Sequence, residues 1–72
     1  MAKKKIHIEN SVRRLRFNNN EMTPQELADL VGVSRQTVVA IEKYKYTPSL
    51  ELAFKIALAF NKEMQEVFYI NQ

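Results

Sequence analysis

The stretch TPQELADLVGVSRQTVVAIEK, residues 23–43, carries the clearest helix signals in the chain. Within residues 23–26 a threonine supplies a hydroxyl cap, a proline follows where its missing N–H costs nothing, and a glutamate can reach back to the amide of the cap. Gly32 then provides the left-handed conformation that stops a helix, and Ser34 caps the next one. The stretch predicts two helices joined by a tight turn, the second running from Arg35 to about Lys43.

The apolar residues of this stretch decide how the two helices pack. Ala28 is small enough to stand where two helices cross closely, and Val33 plugs the turn into the core. Val38 and Ile41, three residues apart, should hold the second helix against the rest of the fold. We expect an apolar face on the first helix from Leu27, Ala28, Leu30 and Val31, and an outward face on the second from Arg35, Gln36, Val39 and Ala40.

Three further helices are predicted outside this stretch. One runs from about Ser11 to Asn18, with Asn10 as its cap and with Val12 and Leu15 facing inward. The next is opened by Pro48 and Ser49 and continues through about Phe60, and a short one runs from Met64 to Phe68. The inner stripe of the helix ending at Phe60 consists of Leu52, Ala53, Ile56, Ala57 and Phe60.

The same helix has a second apolar stripe, made by Leu50, Phe54 and Leu58. A surface helix of a monomer rarely needs two apolar faces. Two interpretations stay open: the stripe receives a partner, or the short last helix covers it.

Residues that favour β-structure stand near both ends of the chain. Ile6 and Ile8 flank His7, and residues 67–70 read VFYI. The two segments could pair as a short β-ribbon, and a loose N-terminal arm is the alternative. We interpret His7, the sole histidine, as a strand residue, because no other ligand-type residues stand at metal spacing around it.

Length and composition limit the classes of function. Seventy-two residues make at most one domain, residues 1–72, with room for a core but not for a deep cleft. Without cysteine, and with no clustered carboxylates, we predict no metal, no cofactor and no catalytic site, and therefore no enzyme. The run Lys3 to Lys5 precedes no apolar stretch suited to a secretory signal or a membrane span, so a cytoplasmic protein without a membrane partner is expected.

Charge is distributed unevenly along the chain. Residues 1–46 carry nine Lys and Arg against five Asp and Glu, whereas residues 47–72 carry two against three. A basic first half suits a polyanionic partner, and on charge alone a solvated basic surface fits equally well.

Residues 22–49, MTPQELADLVGVSRQTVVAIEKYKYTPS, resemble the helix-turn-helix of the phage Cro/CI-type, or XRE, repressors. From about Val12 to Phe68 the chain is similar to the small stand-alone regulators of that family, which carry a similar VSRQT, KY-x-P-SLELA and EVF. The resemblance implies an all-α, five-helix, lambda-repressor-like bundle with its helix-turn-helix core at residues 23–43. It also implies a transcriptional repressor that binds double-stranded DNA as a homodimer on a near-palindromic operator, with the helix 35–43 in the major groove. No small-molecule effector is evident.

The resemblance carries DNA-contacting roles onto matching residues. Arg35 and Gln36 match base-contacting positions, where an arginine fork suits guanine and a glutamine amide suits adenine. Val39 and Ala40 match further positions that face the groove, although a half-exposed valine without a role fits nearly as well. Contacts to the DNA backbone are implied for Ser34, Thr37, Lys43, Lys45 and Tyr46. Gln25 is a candidate to replace in part the phosphate-binding glutamine of the family, whose position Pro24 occupies. Capping is the safer interpretation of Ser34, and the two lysines could also be merely solvated.

Arg16 and Glu42 match a pair that in the family forms an internal ion pair between the first and third helices. Three positions depart from the family pattern. Pro24 replaces a phosphate-binding glutamine, Glu63 replaces a serine cap, and Tyr44 stands where a glycine usually ends the recognition helix. The chain at Tyr44 must therefore use another cap or accept strain.

The expected dimer interface consists of Leu50, Phe54, Leu58, Met64 and Val67. The alternative function is a protein-interaction module, antitoxin-like or anti-repressor, on the same fold. Arg35, Gln36 and the lysines that follow favour DNA, because a protein-binding face more often shows aromatic anchors.

Overall fold

The computed structural model describes residues 6–71, in which five helices lie between two short strands. The elements in chain order are β1 (His7–Asn10), α1 (Val12–Asn18), α2 (Pro24–Val31), α3 (Arg35–Glu42), α4 (Leu50–Ala59), α5 (Met64–Val67) and β2 (Phe68–Asn71). The predicted five-helix bundle with a terminal ribbon is confirmed. The lysine run Lys3 to Lys5 lies outside the described residues.

The core lies between α2, α3 and α4 and is closed by single residues of α1 and α5. Its members are almost completely shielded from solvent: Val12, Leu27, Ala28, Val31, Val38, Ile41, Leu52, Ile56, Ala57, Phe60 and Val67. The predicted inward stripes of α3 and α4 are confirmed. Each fully buried large aliphatic side chain contributes about 1.5–3 kcal/mol, and in a chain without disulfides this burial is the main source of stability.

The turn between α2 and α3 forms as the sequence predicts. Thr23 and Glu26 make a reciprocal capping box, with N···O distances of 3.0 and 2.8 Å. Gly32 adopts φ of +80°, and the amides of Gly32 and Val33 both donate to the carbonyl of Ala28. Ala28 is fully buried, as a close crossing of two helices requires. These local bonds fix the angle at which α3 leaves α2.

The β-ribbon joins the two ends of the described chain. β1 and β2 pair antiparallel, with Ile8 opposite Ile70 and Glu9 opposite Tyr69. The amide of Ser11 donates to the carbonyl of Val67 at 2.9 Å, which continues the connection to the first residue before α1. The ribbon interpretation of the chain ends is therefore confirmed, with His7 in a strand.

Helix boundaries differ from the predicted ones by one or two residues. Ser11, and not Asn10, is the N-cap of α1. The side chain of Asn10 accepts from the amide of Val12 at 3.1 Å and donates to the carbonyl of Ile41 at 2.9 Å, so it ties β1 to both α1 and α3. α3 ends at Glu42, and Phe68 belongs to β2 because its backbone is extended. α4 begins at Leu50, since Ser49 accepts from the amide of Leu52 as the N-cap.

Two residues lie elsewhere than predicted. Leu30, expected on the apolar face of the second helix, is 63% exposed, because Leu27, Ala28 and Val31 already fill the side of α2 that meets the core. Val67, expected at a dimer interface, is fully buried inside the single chain. Its side chain therefore has no surface to offer to a partner.

The second stripe of α4 is uncovered in the single chain. Leu50, Phe54 and Leu58 are 71%, 52% and 76% exposed. Of the two interpretations left open, covering by the short last helix is wrong, because α5 and β2 leave these three side chains in solvent.

Tyr44 ends α3 in a conformation that normally belongs to glycine. Its φ is +60°, while its amide donates to the carbonyl of Ile41 at 3.0 Å and the next amide, of Lys45, donates to that of Ala40 at 2.9 Å. This is the double hydrogen bond of a Schellman motif with tyrosine at the left-handed position. The chain thus keeps the usual helix ending and accepts strain at a residue with a Cβ.

Replacing Tyr44 by glycine and by alanine separates this strain from side-chain contacts. Both variants lose the ring, and only glycine is free of the left-handed penalty, so Tyr44→Gly should be more stable than Tyr44→Ala by about 1 kcal/mol. In an ordinary helix interior the order is reversed by a similar amount. Urea denaturation of the two variants measures the difference, and a more stable alanine variant would contradict the proposed strain.

Candidate nucleic-acid interface

α3 turns one side to the core and the other to solvent. Val38 and Ile41 are about 1% exposed, which holds the helix in place. Arg35 and Gln36, in its first turn, are exposed, while Val39 and Ala40 are half-buried. The four predicted base-contacting residues therefore fall into two pairs. Arg35 and Gln36 have long polar side chains that are exposed, whereas Val39 and Ala40 have small side chains that are partly covered by the fold.

The hydroxyls at the start of α3 are engaged with each other and with the backbone. Ser34 Oγ accepts from the amide of Thr37 at 3.1 Å, and the two hydroxyl oxygens lie 2.9 Å apart. Capping is therefore what Ser34 does in this structure. Thr37 is half-buried beside it.

Gln25 lies exposed in the first turn of α2, next to Pro24. Its Nε2 donates to Asp29 Oδ1, one turn further along, at 2.9 Å. One of its two amide hydrogens is thus already used, and the neighbouring carboxylate repels an anion. Gln25 is accordingly a weaker candidate for a phosphate contact than its position suggests.

The segment after α3 is basic and exposed. Lys43, Lys45 and Tyr46 all lie in solvent directly beyond the end of the helix. Glu42, the single acidic residue of α3, is paired through both of its carboxylate oxygens with Arg16. The outer face of α3 and its exit segment therefore present cations at both ends, with Arg35 at the start and the lysines after the end.

Arg16 and Glu42 form the ion pair that the sequence predicts between α1 and α3. Nε donates to Oε2 at 2.8 Å and Nη2 to Oε1 at 3.1 Å, and Nη1 donates to the carbonyl of Met22 at 2.6 Å. The two side chains are only 14% and 9% exposed. Three elements meet at one guanidinium: α1, the loop before α2, and the last residue of α3.

Two arginines that received no role from the sequence belong to the same region. Arg13 and Arg14 lie exposed on α1 and line an open groove together with Lys43, Tyr44 and Lys45. The surplus of positive charge in residues 1–46 was the only signal for them in the sequence. Their proximity to the end of α3 follows from the tertiary structure.

Metal-binding clusters and membrane-spanning helices are two features that the described part of the chain does not contain. Within residues 6–71 no three or more His, Asp or Glu side chains come together in an arrangement that could hold a metal ion. Among the helices of that range, none is long and apolar enough to cross a bilayer.

Comparisons with known proteins agree with this geometry. The helix-turn-helix family model matches residues 8–67, which span every helix described above. An uncharacterized HTH-type transcriptional regulator of Archaeoglobus fulgidus is 49% identical over 59 residues, covering 82% of this chain and 79% of that protein. Proteins with the same description from Methanocaldococcus jannaschii and Bacillus subtilis are 48% and 45% identical, covering 85% and 90% of this chain and 91% and 97% of their own lengths.

The contributions of Arg16 and Glu42 to the free energy of unfolding should be strongly coupled. Arg16→Met or Glu42→Leu alone strands a charge in a largely buried place and should lower the free energy of unfolding by about 3–5 kcal/mol. The double variant should lose less than the two single losses combined. Urea denaturation of the natural chain, the two single variants and the double variant gives the coupling energy. Losses of the single variants that add up to the loss of the double variant would contradict the coupling.

The exposed ion pair between Glu51 and Lys55 provides a matched control. Its N···O distance is 3.1 Å, similar to that of the buried pair, but its side chains are 79% and 51% exposed. Lys55→Met should therefore change the free energy of unfolding by less than about 1 kcal/mol.

Proposed function

The chain belongs to the XRE-type helix-turn-helix family, and from this premise we propose that it is a sequence-specific DNA-binding transcriptional regulator that acts as a repressor. The observation that carries the proposal is the outward face of α3, on which Arg35 and Gln36 stand exposed while Val38 and Ile41 anchor the opposite face in the core. The names of the relatives, as transcriptional regulators, support the same class of function.

Base recognition is assigned to the first turn of α3. An α-helix fits the major groove of B-DNA, where an arginine fork pairs with the O6 and N7 acceptors of guanine and a glutamine amide with the N6 and N7 of adenine. Arg35 and Gln36 are adjacent and unobstructed, so they suit two neighbouring base pairs. Val39 and Ala40 follow on the same helix with small apolar side chains, which suit contact with thymine methyl groups.

Contacts to the sugar–phosphate backbone position α3 without reading sequence. Lys43, Lys45 and Tyr46 follow the helix on the exposed side, and Thr37 stands near its start. The proposed division is therefore between two long side chains that specify sequence and a set of flanking residues that fix the register of the protein on DNA.

We propose that the protein binds a near-palindromic operator as a homodimer, and the uncovered apolar face supports the dimer. Leu50 and Phe54 are exposed on α4, and next to them lies an almost wholly apolar groove lined by Ile8, Pro48, Ala53, Met64 and Phe68. Leu58 continues the stripe toward Leu30 of α2, with which it lines a second shallow groove. In helix-turn-helix dimers the two recognition helices bind half-sites about 34 Å apart, one turn of DNA, and a second copy on this face is the arrangement we propose for this chain. Val67 is left out of the proposed interface because it is buried.

Selection from a pool of random double-stranded DNA tests the function directly. A repressor of this kind should enrich a motif with two-fold symmetry. Failure to enrich any sequence would favour the alternative of a protein-interaction module. Against that alternative stands the composition of α3, RQTVVAIE, which offers no aromatic anchor.

Residues that read bases and residues that contact the DNA backbone should respond differently to substitution. Arg35→Ala and Gln36→Ala should each lose about 1–3 kcal/mol on the selected operator and relax its sequence preference, whereas Lys45→Ala should weaken binding to all sequences alike and reduce the salt slope by about one. Fluorescence anisotropy on operator and scrambled duplexes at two salt concentrations measures both quantities. Equal losses on the two duplexes for all three variants would overturn the assignment.

The dimer interface is tested by placing a charge on the uncovered face. Phe54→Glu should shift the mass of the protein in solution from twice the 8.4 kDa of one chain toward the monomer, because a carboxylate would be buried in an apolar contact. Phe17→Glu is the control, since Phe17 is a similarly exposed phenylalanine on α1, 64% against 52%. Multi-angle light scattering decides, and a mass unchanged by Phe54→Glu would move the interface elsewhere.

A further inference from the structure

We propose that the groove between the start of α1 and the end of α3 extends the DNA-binding surface and holds the phosphate backbone next to the segment that α3 reads. The inference rests on the proposed function and extends it to residues that the family resemblance did not single out. The central ones are Arg13 and Arg14 of α1.

The charge of the groove favours an anionic partner. Its lining contains four cationic side chains, of Arg13, Arg14, Lys43 and Lys45, and a single acidic one, of Glu42. Both oxygens of Glu42 are held by Arg16, at 2.8 and 3.1 Å, so this carboxylate already has its cation. The four cationic side chains of the lining are all exposed, so a bound phosphate can reach them.

The shape of the groove favours a chain of phosphates over a small ligand. It is an open trough of about 850 Å³, whereas small-molecule sites are mostly apolar clefts that enclose their ligand. Two of its cations, Lys43 and Lys45, come directly after the helix proposed to lie in the major groove. DNA bound to α3 therefore passes the end of this trough, and its backbone is the nearest polyanion.

One cation of the groove is held in place before any ligand arrives. Arg14 Nη2 donates to Ser11 Oγ at 3.2 Å, and Ser11 Oγ in turn lies 2.9 Å from the hydroxyl of Tyr69. Ser11 is buried, and Tyr69 is fixed by its pairing with Glu9 in the ribbon. A side chain ordered in advance loses less conformational freedom on binding. Arg14 is thus prepared to receive a phosphate, through a contact that joins α1 to the terminal ribbon.

The tyrosine at the strained end of α3 belongs to the same trough. Tyr44 lines it and is half-exposed, and a tyrosine hydroxyl is a group that donates to phosphate oxygens. A glycine at this position would satisfy the helix ending without strain but would leave that wall of the trough empty. The retained strain is consistent with a role for the ring at the DNA backbone.

The salt dependence of DNA binding tests the proposal. The probe is a fluorescein-labelled 24-base-pair duplex of random sequence, and the affinity of the full chain is measured at several salt concentrations. Each lost phosphate contact lowers the slope of log K against log salt by about 0.9. R13Q/R14Q should therefore lower the slope by about 1.8, whereas K62Q, an exposed lysine outside the groove, should leave it unchanged.

A charge-conserving variant and a folding measurement complete the design. R13K/R14K should keep the slope of the natural chain, and circular dichroism should give all variants the same helix content, because both arginines are exposed. If the natural chain binds the duplex and R13Q/R14Q leaves the slope unchanged, the groove is not a DNA site, its charge is available to an acidic protein, and the proposed function survives. If the natural chain binds no duplex, the proposed function fails and this inference fails with it.

Discussion

The guanidinium of Arg16 is the point on which the orientation of α3 depends. It donates to both oxygens of Glu42 and to the carbonyl of Met22, and so joins α1 to the loop before α2 and to the end of α3. The start of α3 is fixed separately, by the turn at Gly32 and the cap at Ser34. Held at one end by backbone geometry and at the other by an ion pair, a helix of eight residues becomes a rigid part of a small bundle. The fold itself then sets the positions of the exposed side chains of α3 before anything binds to them.

Local chemistry explains why most of the fold could be predicted from the sequence. Capping residues, Gly32 and the spacing of Val38 and Ile41 act over a few residues, and their consequences do not depend on the rest of the chain. The misplaced residues have another origin. Leu30 and Val67 each belong to an apolar set wide enough to face two directions, and periodicity alone does not say which member the neighbouring helices will cover. That choice is made by tertiary packing.

The residues of the candidate site also fall into those that local sequence signals predict and those that only tertiary packing brings together. Arg35 and Gln36 could be chosen from the sequence because their positions in the motif define their direction on α3. The groove with Arg13 and Arg14 could not, because it combines one helix with a segment some thirty residues later, and Asn10 and Arg16 bring these together only in the folded chain. Charge counting indicated that the first half of the chain is basic, but it could not indicate which of those charges share a surface.

The ribbon has a consequence for the order in which the structure forms. Ser11 and Tyr69, which it brings into contact, are 58 residues apart in the chain, whereas the capping and turn contacts of α2 and α3 span three to five. Contacts that close so long a loop carry a larger entropic cost and form late in folding, after the local helices. A two-stranded ribbon is also among the least stable units on its own, so its opening requires less free energy than global unfolding. The terminal strands are therefore expected to close last and to exchange their amide hydrogens first.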